Sequence, residues 1–248
     1  MNIAILGIGL MGFPMGRRLC EAGHTVHVWN RSNHKALRLE SFGALVHDTP
    51  ANAVAEADLV ITMLDNGAVV GHVLFDLGAA AAMRADCLVI DMSSIKPAEA
   101  RDHAARLSER HIAYLDAPVS GGTIGAESGS LAIMVGGKLS HFERAFPVLQ
   151  LLGRPTLVGP TGTGQLTKLA NQMIVGATIG VVAEALLLCE RGGAHMDKVR
   201  EAITGGFADS RILQVHGQRM VERDFSPRGR MTMQPKDLRN ALTTANAL

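Results

Sequence analysis

Residues 2–19 read NIAILGIGLMGFPMGRRL, a short apolar run followed by a glycine-rich turn and then by a stretch with helical patterning. Gly7, Gly9 and Gly12 give the spacing GxGxxG, and glycine is the residue that permits a tight turn and close approach to the backbone. The apolar run predicts a strand and the residues after Gly12 predict a helix. A glycine turn between a strand and a helix is typical of α/β sheets.

The same alternation continues through the first 160 residues. The pattern predicts strands at 2–6, 25–29, 59–63, 88–91, 113–115 and 131–135. It predicts helices at 14–22, 35–42, 50–57, 98–109 and 141–151. Strands alternating with helices predict a Rossmann-type α/β fold with a mainly parallel, doubly wound sheet.

The pattern changes after the turn cluster GPTGTG at 159–164. We expect one long buried helix up to residue 191, followed by helices at 198–203, 212–221 and 238–247. The sequence therefore predicts a cofactor-binding α/β domain at 1–160 and an all-helical domain at 161–248. The last residues, LRNALTTANAL, follow a helical pattern without a stop signal, which suggests a truncated C-terminal end or one that frays.

Composition excludes several classes of protein. A net charge of +1 does not indicate a nucleic-acid partner or a membrane surface. The three cysteines and ten histidines show no metal-ligand spacing, so no metal is expected. The start MNIAILGIG lacks the basic region of a signal peptide, and the apolar stretch 173–189 contains Glu184, so we expect a cytoplasmic protein with a buried helix there.

The glycine loop predicts a dinucleotide site. Gly7 permits the turn, Gly9 lets a pyrophosphate approach, and Gly12 lets the helix pack on the strand, while Leu10 and Met11 belong to the same loop. The phosphates would lie at the positive end of the helix dipole. The alternative is an ordinary tight turn, but the strand before it and the helix after it favour the cofactor.

The end of the second predicted strand indicates which dinucleotide is bound. An NAD site places an acidic residue there to bind the ribose hydroxyls, whereas this chain has Asn30, Arg31 and Ser32. Arg31 can pair with a 2′-phosphate that a carboxylate would repel. NADP(H) is therefore predicted over NAD(H), with a solvated surface arginine as the alternative reading.

Two further stretches offer groups for a substrate. DAPVSGG at 116–122 follows a predicted strand and supplies the Ser120 hydroxyl with the backbone amides of Gly121 and Gly122, which suit a carboxylate. A plain turn explains the same residues equally well, and Asp116 could be catalytic or could brace the loop.

GTGQLTKLAN at 162–171 opens the long predicted helix. Lys168 and Asn171 share one helix face, and we expect the small Gly164 to leave room for a ligand beside the lysine. A lysine among apolar neighbours can donate a proton. A solvated surface lysine is the alternative.

Five ordered motifs resemble those of the β-hydroxyacid dehydrogenase family, which includes 3-hydroxyisobutyrate dehydrogenases and tartronate semialdehyde (2-hydroxy-3-oxopropionate) reductases. They are GIGLMGFPM at 7–15, DMSSIKP at 91–97, YLDAPVSGG at 114–122, GTGQLTKLAN at 162–171 and PKDL at 235–238. The resemblance covers the whole chain. It implies an NADPH-dependent enzyme that interconverts a short 3-oxo acid and a 3-hydroxy acid, acts on a small carboxylate and forms a dimer or tetramer.

The resemblance also implies roles for matched residues. Lys168 would be the general acid/base, with Asn171 holding the substrate. The substrate carboxylate would lie against Ser120, Gly121 and Gly122. The nicotinamide side of the cofactor would be lined by Met63, Leu64 and Ser94. Lys236 would approach cofactor and substrate from the helical domain, with Asp237 nearby.

Some features narrow or oppose this interpretation. GGFADSR at 205–211 resembles the tartronate semialdehyde reductase branch. Family members usually carry an aromatic residue in the segment where this chain has Gly229. A decarboxylating sugar-phosphate dehydrogenase is disfavoured because the sequence shows no dense basic cluster. A non-catalytic dinucleotide-binding scaffold would be expected to lack the lysine that is present at 168.

Overall fold

The computed structural model describes residues 1–226 and 232–248 of the chain. Its strands are β1 Asn2–Leu6, β2 Thr25–Trp29, β3 Leu45–Val46, β4 Leu59–Thr62, β5 Leu88–Asp91, β6 Ala113–Asp116, β7 Val119–Ser120, β8 Leu131–Gly136 and β9 Gly153–Gly159. Its helices are α1 Gly12–Glu21, α2 Asn33–Leu37, α3 Pro50–Val54, α4 Gly67–Gly71, α5 Ala79–Ala82, α6 Pro97–Ser108, α7 Gly122–Ser128, α8 Leu139–Leu152, α9 Thr163–Arg191, α10 Met196–Ile203, α11 Gln218–Glu222 and α12 Met233–Ala247. A 3₁₀ turn lies at Glu40–Phe42, and π-helical turns lie at His72–Asp76 and Leu213–Gly217.

The strands form one sheet in the order β3-β2-β1-β4-β5-β6-β8-β7, with β9 paired to β8. All pairings from β3 to β6 are parallel, and β8 runs antiparallel to β6 and β7. The chain winds outward from β1 through β2 to β3 and then returns to add β4 on the other side of β1. Ligands of such sheets bind at this reversal, beyond the carboxyl ends of the strands. The predicted Rossmann-type fold is confirmed.

Alternate residues of β1 enter two different cores. Ile3 and Ile5 pack in one cluster with α1 and α8, and Ala4 and Leu6 pack in another with α3, α5 and α6. Burial on both faces explains why the strand is a continuous apolar run rather than an alternating one. It also fixes the end of β1, from which the glycine loop leaves.

Several short elements differ from the prediction. β3 and β7 have two residues each and are too short to show a period. β9 contains Pro155 between flanking glycines, a composition that indicates a loop, and the residues between β4 and β5 form short helices where none was predicted. Gly122–Ser128 is a helix, so the predicted substrate loop is in fact a strand end followed directly by a helix start.

The chain divides into two compact units, Met1–Lys168 and Leu169–Leu248. The second contains most of α9 with α10, α11 and α12. Its small core is built around Val182, Leu186 and Leu213.

The prediction that α9 is buried is wrong for the described residues. Ile174, Val181 and Leu188 are each about two-thirds exposed or more, at 67%, 65% and 74%. The composition of the helix predicted burial, but the described part of its unit covers only one side of it. By length and composition alone α9 could also cross a membrane, a test that core helices pass as well.

Candidate active site

The glycine loop lies between the ends of β1 and β4. Gly7 has φ +112°, and a Cβ placed on it would lie 2.3 Å from the Met63 carbonyl oxygen. A Cβ on Gly12 would lie 2.0 Å from the Gly7 carbonyl oxygen. Both positions therefore require glycine for the fold itself. Among the described residues, no atom lies within 4 Å of a Cβ placed on Gly9, which is exposed.

The end of β2 is tied to this loop through Asn30. Its Oδ1 accepts the Ile8 N–H at 2.9 Å, and its Nδ2 donates to the Ser32 carbonyl at 3.0 Å. Both polar groups of Asn30 are thus used in shaping the loop, a bracing role that the sequence analysis did not foresee. Arg31 is exposed beside the loop, and Ser32 precedes α2. Leu10 is 68% exposed and Met11 is half-buried.

The residues after β4 and β5 form the adjoining wall. Met63 and Leu64 are half-buried, and the Leu64 N–H donates to Ser93 Oγ at 3.0 Å. The Ser93 N–H in turn donates to Asp91 Oδ1 at 3.0 Å. Ser94 follows directly and is half-buried. The glycine loop, Met63–Leu64 and the Ser93–Ser94 segment therefore lie next to one another.

A buried polar network supports this wall from below. Asp91 is fully buried and also accepts hydrogen bonds from Thr62 Oγ1 at 2.7 Å and from the Tyr114 hydroxyl at 3.2 Å. Burial raises the pKa of Asp91 and, together with the adjacent carboxylate, the pKa of Tyr114. The hydroxyl therefore stays a donor. Sequence analysis missed this role; the one available signal was an acidic residue directly before Met-Ser-Ser.

Asp116 braces the start of α9 rather than the loop that follows it in sequence. Its carboxylate accepts the Gly162 N–H at 2.7 Å and the Gln165 N–H at 2.8 Å. Burial raises the pKa of Asp116 to about 6, and these two hydrogen bonds oppose the shift. With both oxygens engaged and no surface exposed, Asp116 holds the helix that carries Lys168.

Gly164 does not leave room for a ligand, contrary to the prediction. A Cβ there would lie 2.4 Å from the Met134 carbonyl oxygen and 2.6 Å from that of Asp116. The missing side chain instead allows α9 to pack directly against the ends of β6 and β8.

Lys168 lies one turn further along and is only 8% exposed. The alternative of a solvated surface lysine is therefore wrong. The side chain of Gln165, which sequence analysis did not single out, joins this turn to the segment around Ser94.

Ser120 and the two glycines after it lie at the end of β7, which pairs with β8. Gly121 and Gly122 have φ +140° and +62°, and both are exposed at the start of α7. Among the described residues, no atom lies within 4 Å of a Cβ placed on Gly122. The two glycines are therefore exposed, and within the described residues no hydrogen bond joins them to the glycine loop.

The remaining predicted residues belong to the second unit. Asn171 donates to Gln172 Oε1 at 2.9 Å, and Gln172 Nε2 donates to Asp237 Oδ2 at 2.8 Å, so α9 and α12 are joined there. Lys236 Nζ lies 3.1 Å from Asp237 Oδ1. Gly229 lies outside the described residues. In the described ranges, 1–226 and 232–248, no group of three or more histidine, cysteine or acidic side chains is placed to hold a metal.

Two family models match the chain. Residues 2–164 match the NAD binding domain of 6-phosphogluconate dehydrogenase. Residues 162–248 match the NAD-binding domain of NADP-dependent 3-hydroxyisobutyrate dehydrogenase. Together they cover nearly the whole chain.

Among the proteins of similar sequence or structure, two are named as a reductase and a dehydrogenase, and a third was solved in complex with NADP+. The chain is 44% identical to 2-hydroxy-3-oxopropionate reductase of Escherichia coli K12, over 100% of this chain and 85% of that protein. The structure of 3-hydroxyisobutyrate dehydrogenase of Mycobacterium tuberculosis with L-serine superposes with a TM-score of 0.91 at 35% identity, covering 99% of this chain and 87% of that one. The structure of Psf3 in complex with NADP+ and 2-OPP gives 0.89 at 25% identity, covering 97% and 86%.

Proposed function

The chain belongs to the β-hydroxyacid dehydrogenase family, and we propose that it is an NADPH-dependent reductase of short 3-oxo acids in which Lys168 supplies the proton. Its relatives are named as dehydrogenases and reductases of small hydroxy acids, and a nicotinamide dinucleotide is the cofactor of its matched domains. The observation that carries the proposal is the buried Lys168, on a helix whose first turn is bonded to Asp116 and, through the Gln165 side chain, to Ser93.

The chain's own residues fit the cofactor. Gly9 is exposed, and the described residues leave open the space that a Cβ on it would occupy. The N-terminus of α1 behind it shows no side-chain cap among the described residues, so its amides can meet a pyrophosphate. Arg31 is exposed at the end of β2, where no acidic residue stands at 30–32 to repel a 2′-phosphate. Asn30 and Ser32 shape that end of the site. These features support NADP(H) as the preferred cofactor, with NAD(H) as the weaker one.

When bound, the nicotinamide would supply the hydride, while the protein's own residues position the carbonyl and deliver a proton. Lys168 donates to the carbonyl oxygen in reduction and accepts that proton in the reverse reaction. Ser120 with the Gly121 and Gly122 amides holds the substrate carboxylate. Met63 and Leu64 would line the nicotinamide side with apolar side chains, and Ser94 would lie beside them. The family resemblance also assigns substrate binding to Asn171 and substrate and cofactor binding to Lys236.

The substrate is proposed to be tartronate semialdehyde. The relative from E. coli is named for that substrate, and GGFADSR at 205–211 resembles the same branch. The second candidate is 3-hydroxyisobutyrate, favoured by the structural likeness to the mycobacterial dehydrogenase. We also propose a cofactor domain at 1–160 and a helical domain at 161–248, supported by family models that meet at residues 162–164.

The test is NADPH absorbance against time with tartronate semialdehyde, and NADP+ reduction with 3-hydroxyisobutyrate. Lys168→Ala is expected to lower kcat by about 10²–10⁴-fold with unchanged NADPH affinity, because only proton transfer is lost. Lys198→Ala is the control, since that lysine is exposed on α10 and pairs with Glu201. A wild-type chain that binds NADPH but neither reduces tartronate semialdehyde nor oxidises 3-hydroxyisobutyrate contradicts the proposal and favours a non-catalytic dinucleotide-binding protein.

We further propose a cytoplasmic homo-oligomer, a dimer or a tetramer. The exposed apolar side chains of Ile174, Val181 and Leu188 support association, because isolated chains rarely expose such a face. Light scattering coupled to size-exclusion chromatography tests the oligomeric state, and a monomer at all concentrations refutes the proposed dimer or tetramer.

A further inference from the structure

We propose that Gln165 is a positioning residue. It fixes Lys168, the proposed proton donor, relative to Leu64 and Ser94, which are proposed to line the nicotinamide. This inference rests on the proposed function. Among the described residues, Gln165 is hydrogen-bonded to Asp116, Ser93 and Ile95. It acts through the two segments that it joins.

The side chain of Gln165 holds both ends of the segment around Ser94. Its Oε1 accepts the Ile95 N–H at 3.0 Å, and its Nε2 donates to the Ser93 carbonyl at 2.8 Å. One partner is a donor and the other an acceptor, so the amide has a single orientation that satisfies both. The residue is fully buried, where an unmade hydrogen bond is costly. The side chain therefore fixes the backbone on either side of Ser94.

The backbone of Gln165 is fixed independently. Its N–H and that of Gly162 both donate to the Asp116 carboxylate, and Gly164 between them is pressed against β6 and β8. The first turn of α9 thus cannot shift without breaking contacts to the sheet. Lys168 lies on the next turn, three residues from Gln165 and on the same helix face.

The segment held by Gln165 is also tied to the end of β4. Ser93 Oγ accepts the Leu64 N–H at 3.0 Å, and the Ser93 N–H donates to Asp91. A continuous series of hydrogen bonds therefore runs from Leu64 through Ser93 and Gln165 to the turn that precedes Lys168. Because proton donor and nicotinamide must meet the same carbonyl group, a displacement of about 1 Å between them lowers the rate by about 10²-fold.

The first experiment compares Gln165→Leu with wild type. The leucine fills similar space but cannot bond Ser93 or Ile95. We expect kcat to fall by about 10²-fold while KM for NADPH and for the oxo acid changes by less than about threefold. The solvent deuterium isotope effect on kcat is expected to rise, because proton delivery becomes slower than the other steps. Hydrogen exchange of the Leu64 and Ile95 amides is expected to accelerate.

Two control variants separate positioning from loss of stability. Val148→Ala removes buried volume from the core of the same unit without touching the site. It is expected to lower thermal stability without changing KM or the isotope effect. Gln214→Leu changes an exposed glutamine whose side-chain amide donates to Asp209, and wild-type kinetics are expected.

Gln165→Glu provides a rescue. The carboxylate still accepts the Ile95 N–H, but its second oxygen faces the Ser93 carbonyl until it is protonated. The activity of this variant relative to wild type is therefore expected to rise as pH falls, whereas the ratio for Gln165→Leu stays flat.

The outcomes are distinguishable from failure of the proposed function. Wild-type chain that reduces no oxo acid overturns the proposed function and the positioning role with it. An active wild type with a Gln165→Leu variant of unchanged kcat overturns the positioning role alone. A Gln165→Leu variant that loses kcat but keeps the wild-type isotope effect and the wild-type exchange of the Leu64 and Ile95 amides also overturns the positioning role.

Discussion

Replacing Gly164 by alanine tests how α9 is seated on the sheet. A Cβ at this position would lie 2.4 Å from the Met134 carbonyl oxygen, so that contact must open by about 1 Å to reach an ordinary 3.4 Å. The neighbours are backbone atoms of β6 and β8, which cannot rotate away. The start of α9 must therefore move outward, away from the Asp116 carboxylate.

The cost follows from the bonds that this movement breaks. The Gly162 and Gln165 amides lie 2.7 and 2.8 Å from Asp116, and a shift of about 1 Å takes both beyond hydrogen-bond distance. Bonds to a charged group contribute about 1.5–3 kcal/mol each, and alanine in a helix recovers about 1 kcal/mol. Gly164→Ala is therefore expected to lower the free energy of unfolding by about 2–5 kcal/mol.

The matched control is on the same helix. Among the described residues, no atom lies within 4 Å of a Cβ placed on Gly180, so Gly180→Ala should stabilise by up to about 1 kcal/mol. Urea unfolding at pH 7.5 is followed by circular dichroism and by the fluorescence of Trp29, the single tryptophan, which is buried in the first unit. Equal stabilisation by both substitutions would refute the close-approach argument.

Three further outcomes are expected. Burial raises the pKa of Asp116 from 3.8 to about 6, so between these pH values the folded state holds a proton that the unfolded chain releases. About 3 kcal/mol of folding stability is therefore lost as pH rises from 4 through 6. Subtracting the pH–stability curve of Asp116→Asn from that of wild type should isolate this loss, and parallel curves would rule it out. Arg31→Asp should raise KM for NADPH by about 100-fold and leave NADH equal or better, measured by steady-state kinetics; equal losses with both cofactors would speak against the 2′-phosphate contact. Cys87 is 2% exposed and burial raises its pKa to about 11, so iodoacetamide at pH 8 should label it only after unfolding, and mass spectrometry that finds native labelling would contradict its burial.

The sequence predicts those parts of the fold that depend on neighbouring residues. Strands β1, β2, β4 and β5 are apolar runs bounded by turns, and the GxGxxG spacing marks the loop because glycine is needed within a few residues of the strand. Each of these signals lies within a few consecutive residues, so it can be recognised in a single sequence. Short strands such as β7 contain no period and could not be found this way.

The site was only partly predictable for a related reason. Lys168 stands out in its motif, but the helical turn before it is held by residues that are distant in the sequence. Gln165 in that turn is hydrogen-bonded to Ser93, 72 positions away, and to Asp116, 49 positions away. Nothing in the sequence shows which buried donor will meet which acceptor. Gly164 was interpreted as space for a ligand because a missing side chain looks the same whether a ligand or a strand fills the space. The exposure of α9 was missed because composition does not show what surrounds a helix.

The three glycines of the first loop differ in why glycine is needed at each position. A Cβ placed on Gly7 or Gly12 would lie 2.3 or 2.0 Å from a backbone oxygen, whereas the described residues leave the space beside Gly9 open. In a saturation library sorted only for folded protein, the first two positions should therefore stay glycine while the third accepts alanine and serine. Sorting the same library for turnover should return glycine at all three. The difference between the two sorts would separate what the fold demands from what the ligand demands, at single-residue resolution.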